Sequence, residues 1–192
     1  MTIEIDRIET LHEGWGRMYR ATLRLADGEI VTREIEDHGT AVAVLPYDPE
    51  RRTTVLVSQM RAPMLYAEGA ATSLEAPAGT LDVEDPEDCA RREALEEAGL
   101  RLSVLEPAGR FWSMPGVSTE RIHLFLAPYS AQDRVADGGG LDEEQEYIEV
   151  HELGLAELAR MADEGRLVDM KTFALLQTLR LRHPELFEGR EA

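Results

Sequence analysis

Apolar and polar positions alternate through much of the first third of the chain. Residues 18–25 alternate roughly, Ala26-Asp27-Gly28 supplies a turn, and alternation resumes over 29–35. A period of two broken by a Gly-containing turn predicts a β-hairpin within 15–36. Residues 41–45 form a short apolar run, which predicts a buried strand. Tyr47-Asp48-Pro49-Glu50 reads as a turn and residues 53–60 as the next strand. Residues 61–78 contain Pro63, Gly69 and Pro77 with no clear period, and a long loop is expected there.

The pattern changes at Asp85. Asp is a favoured N-cap, Pro86 suits the first helical position, and Glu87 and Asp88 complement the positive end of the helix dipole. Gly99 is a natural stop, so a helix is predicted over 86–98. Strand-like runs follow near 102–105, 109–112 and 122–127. Asp137-Gly138-Gly139-Gly140 then leads through an acidic stretch to a strand at 147–150. Residues 155–164, ended by Gly165, and 171–182, stopped before Pro184, read as helices. Strands, one helix, more strands and then helices suggest α+β or layered α/β/α architecture rather than a regularly alternating parallel fold.

Composition narrows the function. The 192 residues suffice for one domain with a sizeable core, and a 43% apolar, 30% charged chain fits a soluble globular protein. A net charge of −18 argues against nucleic acid and against anionic membrane surfaces, which both demand a basic face. No run is long and apolar enough for a signal peptide or a membrane span, and the single cysteine, Cys89, excludes an intramolecular disulfide; a cytoplasmic protein is expected. Of 20 basic residues only Lys171 is a lysine, so arginines would make most basic contacts to a substrate. The five histidines show no ligand spacing and read as structural or surface residues, and Trp15 and Trp112 read first as core or interface packing, with base stacking the second reading.

The predicted helix carries the chemistry. Glu93 and Glu97 lie one turn apart on one face, with Glu96 on the adjoining edge. Carboxylates crowded in this way repel unless a cation joins them, and their hard oxygens suit Mg²⁺ or Mn²⁺. The plain alternative is a solvated acidic face neutralised locally by Arg91 and Arg92.

The surrounding residues favour the metal. Gly79, Glu84, Arg92, Glu93, Ala94, Glu96, Glu97, Gly99 and Leu100 resemble the box of the Nudix hydrolase superfamily, with the loop between Gly79 and Glu84 one residue short. Flanking segments are similar to the branch that hydrolyses nucleoside diphosphate sugars: Glu75-Ala76-Pro77-Ala78-Gly79, Gln59 with Arg61, the run from Ser113 to Glu120, and Asp169-Met170-Lys171-Thr172. Within that branch the short loop, Asp85-Pro86-Glu87-Asp88-Cys89, Pro115-Gly116-Val117-Ser118-Thr119-Glu120, the triple glycine and Ile148-Glu149-Val150-His151-Glu152-Leu153 most resemble the bacterial GDP-mannose pyrophosphatases, with ADP-ribose pyrophosphatases next.

The resemblance implies a Nudix α/β/α sandwich with a mixed sheet over 41–192 and an N-terminal β-rich extension over 1–40 that forms a homodimer. It implies Mg²⁺ (or Mn²⁺) held by Glu93, Glu97 and the Ala78 carbonyl, with Glu96 adjacent and Glu84 acting through water. Arg92, Gly79 and Gly99 would be structural. Glu144, or else Glu143, would be the general base, Glu146 a further metal ligand, and Arg61 and Glu120 substrate contacts. A Nudix-fold sensor without catalysis is the alternative of a different class.

Overall fold

The computed structural model describes residues 2–83, 85–141 and 147–188, and in it the alternating N-terminal segment is paired strand. β1 (Glu4–Glu13), β2 (Arg17–Arg24) and β3 (Ile30–Asp37) form an antiparallel sheet in that order. β2 and β3 are the predicted hairpin, in register from Arg17 against Asp37 to Arg24 against Ile30. β1 was not legible as a strand. Ile5, Ile8 and Leu11 are spaced by three rather than two, in keeping with register shifts at Ile5/Arg7 and Thr10/His12 that break the period; pairing with β2 defines it.

This sheet belongs to one of two compact units, Met1–Ala41 with Arg110–Ile122. Within it the Glu36 N–H donates to the Val117 carbonyl, the Thr119 N–H to the Glu36 carbonyl, and the Thr119 hydroxyl to Asp37 at 2.6 Å.

The second unit is Val42–Gly109 with His123–Ala192. Its strands are drawn from β4 (Thr40–Asp48), β5 (Thr53–Met60), β6 (Thr72–Glu75), β7 (Ala78–Leu81), β8 (Glu106–Trp112), β9 (Arg121–Pro128) and β10 (Glu149–Gly154). They make a seven-stranded mixed sheet in the order β10-β5-β4-β9-β8, with β6 on β5 and β7 on β4. The α-helices among the described residues are α1 (Ala62–Glu68), α2 (Pro86–Ala98), α3 (Leu155–Asp163) and α4 (Met170–Arg182).

Successive side chains on a strand point to opposite faces. Val42, Val44, Val55 and Val57 share one buried cluster with Cys89, Ala90, Ala94 and Ala98 of α2. The alternate residues Ala43, Leu45 and Leu56 are equally buried, as are Leu155 and Leu158 of α3 and Leu175, Leu176 and Leu179 of α4. Strands buried on both faces are what a sheet between helical layers requires. The layered α/β/α arrangement with a mixed sheet expected from the sequence is the architecture observed.

Three local expectations fail. Residues 61–78 are not one loop but hold α1, β6 and the start of β7. Pro63 falls in the first turn of α1, where its missing N–H matters least, and Gly69 (φ 72°) caps the helix end. Two strands of four residues each are too short to show a period. The run 102–105 is not a strand; Leu102 and Leu105 serve the core from an irregular segment. The strand predicted at 147–150 begins at Glu149, because Tyr147 takes a left-handed φ of 47° that a ladder does not accept.

Candidate metal centre

α2 starts and stops as its residues dictate. The Asp85 side chain accepts the Glu87 N–H at 2.9 Å, Pro86 occupies the first turn, and Gly99 (φ 69°) closes the helix. The buried stripe is Cys89, Ala90, Glu93, Ala94, Glu97 and Ala98. Its alanines are small enough to bring the helix close to the sheet, and its two glutamates ride the same inward face. Glu97 is 1% exposed and Glu93 8%. Ionised carboxylates this deep require polar or charged company.

Glu97 accepts the Ala78 N–H at 2.9 Å and faces the Gln59 amide at 3.5 Å. The Arg92 guanidinium lies 2.9 Å from both Glu93 and Glu96, joining neighbouring turns of the helix, and donates to the Cys89 sulfur at 3.5 Å. Gly79 leaves room for a carboxylate: a Cβ there would stand 2.0 Å from Glu93 Oε1, and the Glu93 side chain would have to shift. The glycine thus seats the Glu93 carboxylate against the strand that carries Ala78.

The strand end before Ala78 is pinned residue by residue. Glu75, 3% exposed, receives Arg61 bidentately at 2.9 and 2.7 Å, the Ser73 hydroxyl at 2.7 Å and the Lys171 ammonium. Burial pushes the Glu75 carboxyl up. The Arg61 hydrogen bonds and the charges of Lys171 and Arg61 outweigh that and hold it at about 2, against an ordinary 4.5. The Ala76 N–H donates to the Thr172 hydroxyl at 2.6 Å, and the Pro77 carbonyl accepts the Val44 N–H at 2.9 Å. Asp169 caps α4 through the Thr172 N–H at 2.9 Å and binds Lys171 at 3.0 Å.

Glu75-Ala76-Pro77-Ala78-Gly79 and Asp169-Met170-Lys171-Thr172 are both visible in the sequence as separate motifs. Their union through Glu75–Lys171 and Ala76–Thr172 is not.

The remaining candidates fall in several places. Arg61 is held by Glu75, with its side chain 37% exposed. Glu120 lies in the N-terminal unit, where its N–H donates to the Ser118 hydroxyl at 3.1 Å. Glu84, Glu143, Glu144 and Glu146 lie outside the described residues. Among the described residues no three His, Cys, Asp or Glu side chains cluster as a preformed metal cage. Mg²⁺ does not need one, since it commonly takes one or two carboxylates and fills its shell with water and substrate phosphate. Two buried hard-oxygen carboxylates on one helix face, Glu93 and Glu97, fit such an ion.

Known proteins resemble this chain in sequence and in fold. The NUDIX domain family model matches residues 37–169. A GDP-mannose pyrophosphatase of Cronobacter sakazakii is 37% identical over 187 residues, covering 95% of this chain and 97% of that protein. The proteins of the same name from Yersinia enterocolitica and Klebsiella pneumoniae are 37% and 36% identical, over 92% and 93% of this chain. A crystal structure of an ADP compounds hydrolase superposes with a TM-score of 0.78 at 16% identity, covering 96% of each chain.

Proposed function

The chain belongs to the NUDIX family, and from that premise we propose that it hydrolyses the diphosphate of a nucleoside diphosphate sugar, GDP-mannose first, to a nucleoside monophosphate and a sugar phosphate. The observation that carries the reading is the pair of buried carboxylates, Glu93 and Glu97, set on one face of α2 against the Ala78–Gly79 strand. GDP-mannose leads because relatives of that name match nearly the whole chain at 36–37% identity.

Glu93, Glu97 and the Ala78 carbonyl would hold Mg²⁺ or Mn²⁺, with Glu146 as a further ligand. When bound, the ion supplies charge neutralisation at the diphosphate oxygens. Arg92 keeps Glu93 and Glu96 in place. Water attacks one phosphorus, a new P–O bond forms, and the bridging P–O bond breaks with its electrons on the departing phosphate. Glu144, or Glu143 in its stead, takes the proton of that water. Arg61 and Glu120 contact substrate, Arg61 with its fork oriented by Glu75.

The same reading makes the protein a cytoplasmic homodimer. No helix among the described residues is long and apolar enough to cross a membrane. β1 ends its sheet and carries Ile5, Ile8 and Leu11, which are 61%, 48% and 43% exposed. An apolar edge strand is a template for a second copy. Light scattering of the eluted protein at twice the chain mass supports the dimer, and a monomer at all concentrations refutes it.

The function is tested with a sugar-nucleotide panel including GDP-mannose and ADP-ribose, with Mg²⁺ or Mn²⁺ present and after chelation. Metal-dependent release of GMP from GDP-mannose, faster than AMP from ADP-ribose, is expected. The reverse order moves the assignment to ADP-ribose. Tight binding of one compound with no turnover of any replaces the enzyme with a sensor.

A further inference from the structure

The triple glycine has a fixed place at the far end of α2. The last carbonyls of an α-helix have no partner inside it. In α2 they include those of Leu95, Glu96 and Glu97. The Gly99 N–H meets the first at 3.0 Å, as an ordinary C-cap does. The other two are met from far along the chain: the Gly139 N–H donates to the Glu97 carbonyl at 2.9 Å, and the Gly140 N–H to the Glu96 carbonyl at 3.0 Å.

The approach depends on glycine at two facing positions. Gly138 has φ of 76°, and a Cβ there would stand 2.4 Å from the Glu97 carbonyl oxygen and 2.8 Å from the Ala98 carbonyl carbon. Gly99 has φ of 69°, and its Cβ would stand 2.1 Å from the Ala136 carbonyl oxygen. Two left-handed glycines therefore interlock backbone against backbone. Glu97 is held at both ends, its carbonyl by Gly139 and its carboxylate by Ala78.

We infer that residues 138–140 are positioning residues for the metal centre: they lock the last turn of α2 so that the Glu97 carboxylate stays at the Ala78 strand. The inference rests on the metal reading of Glu93 and Glu97. A clamp of this kind contributes to metal affinity without supplying a ligand, as supporting contacts behind metal ligands commonly do.

The test is calorimetric titration of the chelated full chain with Mn²⁺, comparing wild type, Gly138→Ala and Gly165→Ala. Gly165 has φ of 71° with nothing within 4 Å of its would-be Cβ, so its variant carries the same backbone strain without touching α2. Gly138→Ala is expected to weaken the Mn²⁺ dissociation constant about tenfold or more, while Gly165→Ala binds as wild type does. Equal affinity in Gly138→Ala and wild type overturns the clamp, as does equal weakening in both variants. A wild-type chain that takes up no Mn²⁺ overturns the metal reading itself, and with it the clamp's role.

Should Gly138→Ala not fold, hydrogen exchange of ¹⁵N-glycine-labelled wild type decides instead. The Gly139 and Gly140 amides should exchange slowly, and more slowly still with Mg²⁺. Protection indifferent to Mg²⁺ overturns the inference.

Discussion

Two buried carboxylate clusters lie in the same unit and are built on opposite lines. At Glu75 two cations, Arg61 and Lys171, converge on one carboxylate, and Asp169 meets Lys171 from α4. On α2 one guanidinium, Arg92, is divided between Glu93 and Glu96, while Glu97 takes hydrogen bonds from neutral donors, the Ala78 N–H and the Gln59 amide. The first cluster answers its carboxylate with protein cations and joins β5, β6 and α4. The second sets its carboxylates around the strand of Ala78. Burial of an acid therefore does not by itself mark a reactive site; under the proposed reading, Glu75 is a brace and the α2 carboxylates are the centre.

The sharpest way to break this contrast is Glu97→Gln. The amide keeps the shape and can still accept the Ala78 N–H, so the fold should persist with an unchanged melting temperature. Turnover should fall about 1,000-fold, the equivalent of about 4 kcal/mol of barrier. Steady-state kinetics beside a thermal melt decide it, and near-normal turnover would remove the metal centre from α2.

Glu75→Gln is expected to act first on stability. It leaves Arg61 and Lys171 without their common counter-charge, and loss of one member of a buried ion pair costs about 3–5 kcal/mol. Urea denaturation measures this. A loss under about 1 kcal/mol would mean that the cluster is no brace.

The pH dependence sharpens the same point. The Glu75 carboxyl is lowered in the folded chain to about 2 from 4.5. Its contribution is therefore fully present above its unfolded value and is lost as pH falls from there toward 2. It amounts to about 3 kcal/mol. The stability difference between wild type and Glu75→Gln should be flat from neutral pH to about 5 and shrink below that. A difference that stays constant down to the acid limit would refute the assignment.

The smallest effect belongs to the edge of the brace. Asp169→Ala removes the α4 cap and should cost about 1 kcal/mol. A larger change in turnover than in stability would place Asp169 with the centre rather than with the brace.

Much of this was legible in the residue pattern. The hairpin of β2 and β3, the bounds of α2 with its Asp85 cap and Gly99 stop, and the shared inward face of Glu93 and Glu97 all follow from local rules of period and capping. The fold class and family followed from the box and its flanking motifs. What escaped was decided by partners distant in sequence. β1 is a strand because β2 lies beside it, and β6 and β7 because β5 and β4 do. The segment 102–105 is buried without being a strand, since apolar residues report burial and not conformation.

The chain by itself determined that Glu93 and Glu97 share one face of α2, because spacing on a helix is a local property and residues four apart lie about one turn from each other. Only the tertiary structure decided how those residues are held. It joined Glu75 to Lys171 and Ala76 to Thr172, and it set the triple glycine against the carbonyls of Glu96 and Glu97. The physical reason lies in the carriers. Charge pairing and backbone hydrogen bonds depend on distance in space, and no periodicity in the sequence records which carbonyl a remote glycine will reach.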